Sequence, residues 1–345
     1  MRRWRCWPPR RARRRTWWRD SGFEGDDGDV MSRVAAIDCG TNSIRLLIAD
    51  AGGGQLNDVH RETRIVRLGQ GVDATGQFAP EAIARTRAAL TDYAALLKVH
   101  GVERVRMVAT SATRDAANRD SFFAMTAEVL GAVLPGAIAE VITGAEEAEL
   151  SFSGAVGELD SAGAPFVVVD LGGGSTEIVL GKAGNEVTAS YSANIGCVRL
   201  TERCLHSDPP TPDEVAAARL VVREELEPAL RAVPVEEART WVGLAGTMTT
   251  LSALAHNMTA YDAAAIHLSR VAGADLHAVC DRLIAMTREQ RAALPPMHEG
   301  RVDVIGGGAI VVEELARELR SRAGIDELTV SEHDILDGIA LALCD

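Results

Sequence analysis

Apolar residues in this chain are spaced in two ways. Short runs in which Val, Ile and Leu follow one another almost without a break read as strands buried on both faces. The run at 166–181, FVVVDLGGGSTEIVLG, is such a strand ending in Asp170, then three glycines, two hydroxyls, Glu177 and a returning strand. The run at 34–48, VAAIDCGTNSIRLLI, has the same form. Residues 60–72 read as a further strand with Arg61, Arg64 and Arg67 along it, either steering an anion or guarding a solvated sheet edge. Spacing of three and four marks helices instead. At 80–100 it puts Ile83, Leu90, Tyr93, Leu96 and Leu97 on one face, with Gly101 as the stop. A strand at 102–110, a helix towards Leu130, the short strand AEVITG and a helix from about Ala145 come next. A helix reaching about Leu230 takes Thr211 or Asp213 as its N-cap, with Pro212 at the first position. WVGLAGT is a strand entering a Gly turn before a helix at Thr247. VDVIGGGAIVVEELARELR reads as strand, three glycines, helix, and SEHDILDGIALAL as a helix capped by Ser331 and Asp334.

Aligning Asp38 with Asp170 brings Gly40 onto Gly172 and Ser43 onto Ser175, so one hairpin has been built twice. Glycines at Gly172, Gly173 and Gly174 remove every β-carbon from the turn and let backbone amides approach an anion, with Ser175 and Thr176 adding donors. An aspartate at the end of a buried strand beside such a turn is a ligand that Mg²⁺ takes when it rides on phosphate oxygens. A plain glycine-rich hairpin is the other reading of either copy alone; the pair points to two similar domains, each with a phosphate loop.

Other candidates stand at element ends. Arg114 follows a strand, where open α/β sheets place ligands, and its guanidinium suits phosphate. Glu146 and Glu147 lie in a first helical turn, where they complement the helix dipole or, equally, stay ionised to orient an attacking water. Gly246 and Thr247 open a helix, which is a ready anion site. The run Gly306, Gly307 and Gly308 serves either close helix packing or a ligand. His333 and Asp334 lack the partners of a metal phosphohydrolase site and read as a cap. There is no Walker P-loop and no G-x-S-x-G elbow.

At 345 residues the chain has room for two cored domains. Its 25% charged content is that of a globular protein, and the net charge of −13 excludes a surface generally suited to nucleic acid. No apolar run reaches the length of a membrane span. Six cysteines without a C-x-x-C pair fit a reducing cytoplasm. Residues 1–30 differ from the rest: they are rich in Arg and Trp, then in Gly and Asp, and the composition changes abruptly at Met31. They read as an extension upstream of the true start or, less simply, as a basic aromatic arm.

The set IDCGTNSIRLLI, ATSATRDAAN, ITGAEEAELSF, VVVDLGGGSTEIVLG, NIGCVRL, GLAGT and SEHDILDG resembles, in order, the exopolyphosphatase and guanosine pentaphosphate phosphohydrolase family, in its short two-domain form. The resemblance implies an α/β fold: two ribonuclease-H-like domains of the actin, Hsp70 and sugar kinase superfold with the active cleft between them. It implies domain I at 31–150 plus 331–345 and domain II at 151–330. It makes Glu147 the catalytic base, with Asp170 beside it, and gives Mg²⁺ to Asp170, Glu177 and Asp38. Phosphate contacts fall to Gly40, Asn42, Ser43, Arg114, Gly172 to Thr176, Gly246 and Thr247. The implied reaction is Mg²⁺-dependent release of orthophosphate from the end of inorganic polyphosphate, by a cytoplasmic homodimer. Guanosine pentaphosphate as substrate, an ATP-dependent kinase and a non-enzymatic nucleotide sensor of the same superfold are the alternatives.

Overall fold

The computed structural model describes residues 31–344; the extension read at 1–30 lies outside the described residues. The chain forms two compact units, one of the described residues up to Thr143 together with those from Ile335, the other Gly144–Asp334.

In the first unit, strands β1 (Ser32–Cys39), β2 (Ser43–Gly52), β3 (Gln55–Ile65), β4 (Arg104–Ala109) and β5 (Ala139–Val141) form one sheet in the order β3-β2-β1-β4-β5. The first three are antiparallel, as short turns require, and β4 and β5 run parallel to β1. The helix Pro80–Val99 buries Leu90, Tyr93 and Leu97 with Phe122 and Met125 of the helix Arg119–Gly131 against Ile37, Ile44 and Met107 of the sheet. Its one buried phenol is satisfied, since Tyr93 Oη donates to the carbonyl of Ile44 at 3.0 Å. The short helix Ile335–Leu341 returns to pack on β1 and β2.

The second unit repeats the plan. Strands β6 (Phe166–Leu171), β7 (Thr176–Gly181), β8 (Val187–Ala193), β9 (Thr240–Leu244), β10 (Ser269–Ala272) and β11 (Glu327–Val330) lie in the order β10-β11-β9-β6-β7-β8. Read as β8-β7-β6-β9-β11, five of these strands have the order and directions of the first sheet, which is the ribonuclease-H-like arrangement; β10 adds an antiparallel edge. The helix Pro212–Ala232 starts as the sequence predicts, with a Thr211–Glu214 capping box and Pro212 at the first position.

Three expectations change. The helix Gly144–Ala155 packs on β7 and β8, and Ser331 N–H bonds to the carbonyl of Gly243, so the division falls at Thr143/Gly144 and Asp334/Ile335 rather than at 150 and 331. VDVI is no strand: turn residues lead straight into the helix Ile305–Ala323, which takes up the three glycines. A β-carbon at Gly308 would lie 2.7 Å from Thr247 Cγ2 and one at Gly307 would lie 2.8 Å from the carbonyl of Cys197, so these glycines serve close packing. The arginines of β3 are neither bare steering charges nor solvated guards. Arg61 grips the fully buried Asp337 through two bonds of 2.8 and 3.1 Å, and Arg64 pairs with Glu62 and Asp92.

Candidate active site

In the second unit the sequence forces three carboxylates into the interior together. Asp170 ends β6 and Glu177 lies directly across from it on β7, with 7% and 1% exposure. Glu147, 8% exposed, projects from the first turn of the helix Gly144–Ala155. That helix comes close because residue 144 has no side chain: a β-carbon there would collide with Ser192 on β8. Serines hold the acids in place. Ser151, one turn beyond Glu147, donates to Asp170 Oδ2 at 2.7 Å, and Ser192 donates to Glu177 Oε1 at 2.7 Å. Burial raises the Glu177 carboxyl well above the usual range, and the charges of Glu147 and Asp170 push it the same way. Hard oxygen donors with like charge in excess are the donor set of Mg²⁺, which keeps waters and needs only one or two protein carboxylates.

The glycine loop is shaped from behind by the helix Cys197–Cys204. Amides of Cys197, Val198 and Arg199 bond to the carbonyls of Gly172 and Gly173 at 2.9 to 3.1 Å, and Arg199 Nε donates to the Gly174 carbonyl at 2.8 Å. With its carbonyls drawn one way, the loop turns its remaining amides the other: among the described residues, Gly173 and Gly174 N–H have no acceptor. Gly172 N–H closes the turn on the carbonyl of Ser175 at 3.1 Å.

The first unit's copy closes identically, Gly40 N–H to the Ser43 carbonyl at 3.0 Å, with the Asn42 carbonyl accepting from Val66 and Arg67. Its charge differs. Across from Asp38 stands Arg45, where the second unit has Glu177, and Arg45 Nε and Nη2 both donate to Asp38 Oδ2 at 2.9 and 2.7 Å. Asp38, expected as a metal ligand, is therefore already neutralised by a guanidinium that competes for that oxygen. Arg114 donates to the carbonyl of Ile142 at 3.2 Å.

The expected anion site at Gly246 and Thr247 also has a different form. The helix begins at Ala245, whose φ of 67° is left-handed, and the guanidinium of Arg301 lies so close to Gly246 that a β-carbon there would overlap it. Thr247 is buried against Gly308. Arg301 donates to Thr250 Oγ1 at 2.7 Å and has no carboxylate partner among the described residues. Sequence reading missed Ser151, Ser192, Arg199, Arg45 and Arg301. Only Ser151 carried a signal, its spacing of four from Glu147 on one helix.

Among the described residues no helix is long and apolar enough to cross a membrane. The profile of the Ppx/GppA phosphatase family matches residues 47–343. The chain is 82% identical over 318 residues to exopolyphosphatase 2 of Mycobacterium tuberculosis, covering 91% of this chain and 99% of that protein. A crystal structure of an exopolyphosphatase-like protein superimposes with a TM-score of 0.87 at 41% identity, over 91% of this chain and 98% of that one. A Ppx/GppA family member from Aquifex aeolicus does so with 0.73 at 32% identity, over 91% and 97%. This chain belongs to the Ppx/GppA phosphatase family.

Proposed function

We propose that the chain is an exopolyphosphatase, which with Mg²⁺ hydrolyses the terminal phosphoanhydride bond of inorganic polyphosphate and releases orthophosphate. The observation that carries this reading is the trio of buried like-charged carboxylates, Glu147, Asp170 and Glu177, with the glycine loop whose Gly173 and Gly174 amides lack acceptors. The name of the Mycobacterium tuberculosis relative supports the choice of substrate.

In this reading Asp170 and Glu177 hold the Mg²⁺, which when bound offsets the charge of the phosphate oxygens. The amides of Gly173 and Gly174, with Ser175, donate to the equatorial oxygens of the terminal phosphoryl group; Thr176, expected beside them, is fully buried and spends its hydroxyl on the Ile195 carbonyl at 2.6 Å, so it shapes the loop instead. Glu147 takes a proton from the attacking water as the new P–O bond forms and the bridging P–O bond breaks, and the shortened chain leaves as an anion. Gly40, Asn42 and Ser43 form the first unit's phosphate loop, which Asp38 braces through Arg45; Arg114 is a further phosphate contact. At Gly246 and Thr247 the contact is assigned to the guanidinium of Arg301. A cytoplasmic setting and a homodimer, both implied by the family resemblance, complete the reading.

The test is orthophosphate release with Mg²⁺ from polyphosphate, guanosine pentaphosphate and ATP, compared between the wild type and Glu147→Gln. Polyphosphate should be the best substrate, and the variant should lose roughly 10²- to 10⁴-fold in turnover while unfolding at the same temperature. Unchanged turnover, or release from ATP alone, overturns the proposal.

A further inference from the structure

We propose that His277, Asp281 and Glu313 form a second cation site, for a divalent transition metal of the Zn²⁺ type, built from other elements than those assigned to hydrolysis. Residues 277 and 281 are one turn apart on the helix Gly273–Ala285 and share a face; Glu313 comes from the helix Ile305–Ala323 packed beside it. Their ligand atoms all lie within 4.8 Å of one another. His277 Nδ1 is 3.1 Å from Glu313 Oε1 and Nε2 is 3.2 Å from Asp281 Oδ2.

The decisive group is Glu313. Its side chain is 3% exposed and lies within this cluster, and Oε1 is buried without a well-formed hydrogen bond, turned to the His277 imidazole at 3.1 Å and the Asp281 carboxyl. Its other oxygen is held by Arg219 Nη2 at 2.6 Å, from the helix Pro212–Ala232. A carboxylate fixed through one oxygen, with the other turned to the remaining members of the cluster, is how a supporting shell presents a metal ligand. Without a well-formed hydrogen bond, a buried acceptor carries a desolvation cost that a cation would remove. One imidazole nitrogen with two carboxylate oxygens selects Zn²⁺ or a neighbouring transition metal over Mg²⁺, and the exposed flank at His277 and Asp281 leaves room for a water ligand. A second cluster, Glu158, His267 and His333, is as compact. There, however, His267 Nδ1 is spent on the backbone N–H of Glu332, from which it accepts at 3.2 Å, whereas both nitrogens of His277 face only carboxylates of its own cluster.

Bound there, the cation would staple two helices of the second unit, acting on stability and not on turnover. Chelator-stripped protein is titrated with Zn²⁺ by calorimetry in a large excess of Mg²⁺, with Co²⁺ absorption as a second probe of nitrogen and oxygen ligation. One equivalent should bind the wild type and raise its unfolding temperature. His277→Ala and Glu313→Gln should each weaken binding on the order of 100-fold and abolish the thermal shift. His277→Ala changes an exposed residue and should keep the wild-type Mg²⁺-supported turnover. No equivalent of Zn²⁺ bound in excess Mg²⁺, or equal binding by both variants, overturns the site.

Discussion

Gly196 offers a test of whether the glycine loop works by position. Its φ of −155° and ψ of 172° are extended backbone that alanine adopts freely, so Gly196→Ala brings no conformational strain. What it brings is an atom. The new β-carbon would stand 2.5 Å from the carbonyl carbon and oxygen of Gly173 and 2.6 Å from the nitrogen of Gly174, where ordinary contact begins near 3.4 Å. All of these are backbone atoms, so no rotamer relieves the overlap; the loop must retreat by about 0.9 Å, the difference of the two distances. It cannot retreat freely, because the amides of residues 197 to 199 tie its carbonyls to the helix behind. Overpacking of this kind costs about 1–3 kcal/mol, and a misplacement near 1 Å in groups that position a reacting centre costs roughly 100-fold in rate. We expect Gly196→Ala to stay folded with a lowered unfolding midpoint, and to lose about two orders of magnitude in orthophosphate release from polyphosphate. Gly131→Ala is the control, since its β-carbon would meet nothing closer than 4.0 Å and should leave turnover unchanged. Wild-type turnover in Gly196→Ala, or an equal loss in both variants, would refute the positional account.

Two further outcomes concern the first unit. Arg61→Ala leaves the fully buried Asp337 without its bidentate partner and should destabilise that unit by roughly 3 kcal/mol or more, read from urea unfolding; a change under about 1 kcal/mol would mean the pair is dispensable. Glu62 is held below the usual carboxylate range first by its hydrogen bond to His60 and then, against burial, by Arg64. A depressed carboxylate contributes stability that is present above the unfolded glutamate pKa of about 4.3 and is lost as pH falls through the lower folded value. The stability difference between wild type and Glu62→Gln should therefore be steady near neutrality and vanish on acidification. A difference that grows in acid would show the sign to be wrong.

How much of this was legible in the sequence differs from element to element. The doubled hairpin could be read because it is local: an uninterrupted apolar run, an aspartate and a glycine turn fix a strand pair wherever they occur. The helices at 80–99 and 212–232 were equally plain, the second through its capping box. VDVI misled because a short apolar run before glycines does not separate strand from helix start; tertiary packing of Gly307 and Gly308 decided it. Arg45 and Glu177 were invisible as a contrast until the register placed each across from its aspartate. Arg199 and Arg301 act on backbone brought near by folding, and Arg61 meets an acid near the other end of the chain, so nothing in their own neighbourhoods announces them.

The second unit is one unbroken stretch, whereas the first is finished by the helix Ile335–Leu341. During synthesis the second unit therefore has its whole sequence before the first does, although the first begins to emerge earlier. The sheet of β1 and β2 must wait, with part of its apolar surface uncovered, until residues 335–341 leave the ribosome. A premature stop just ahead of Ile335 would thus damage the unit that was made first.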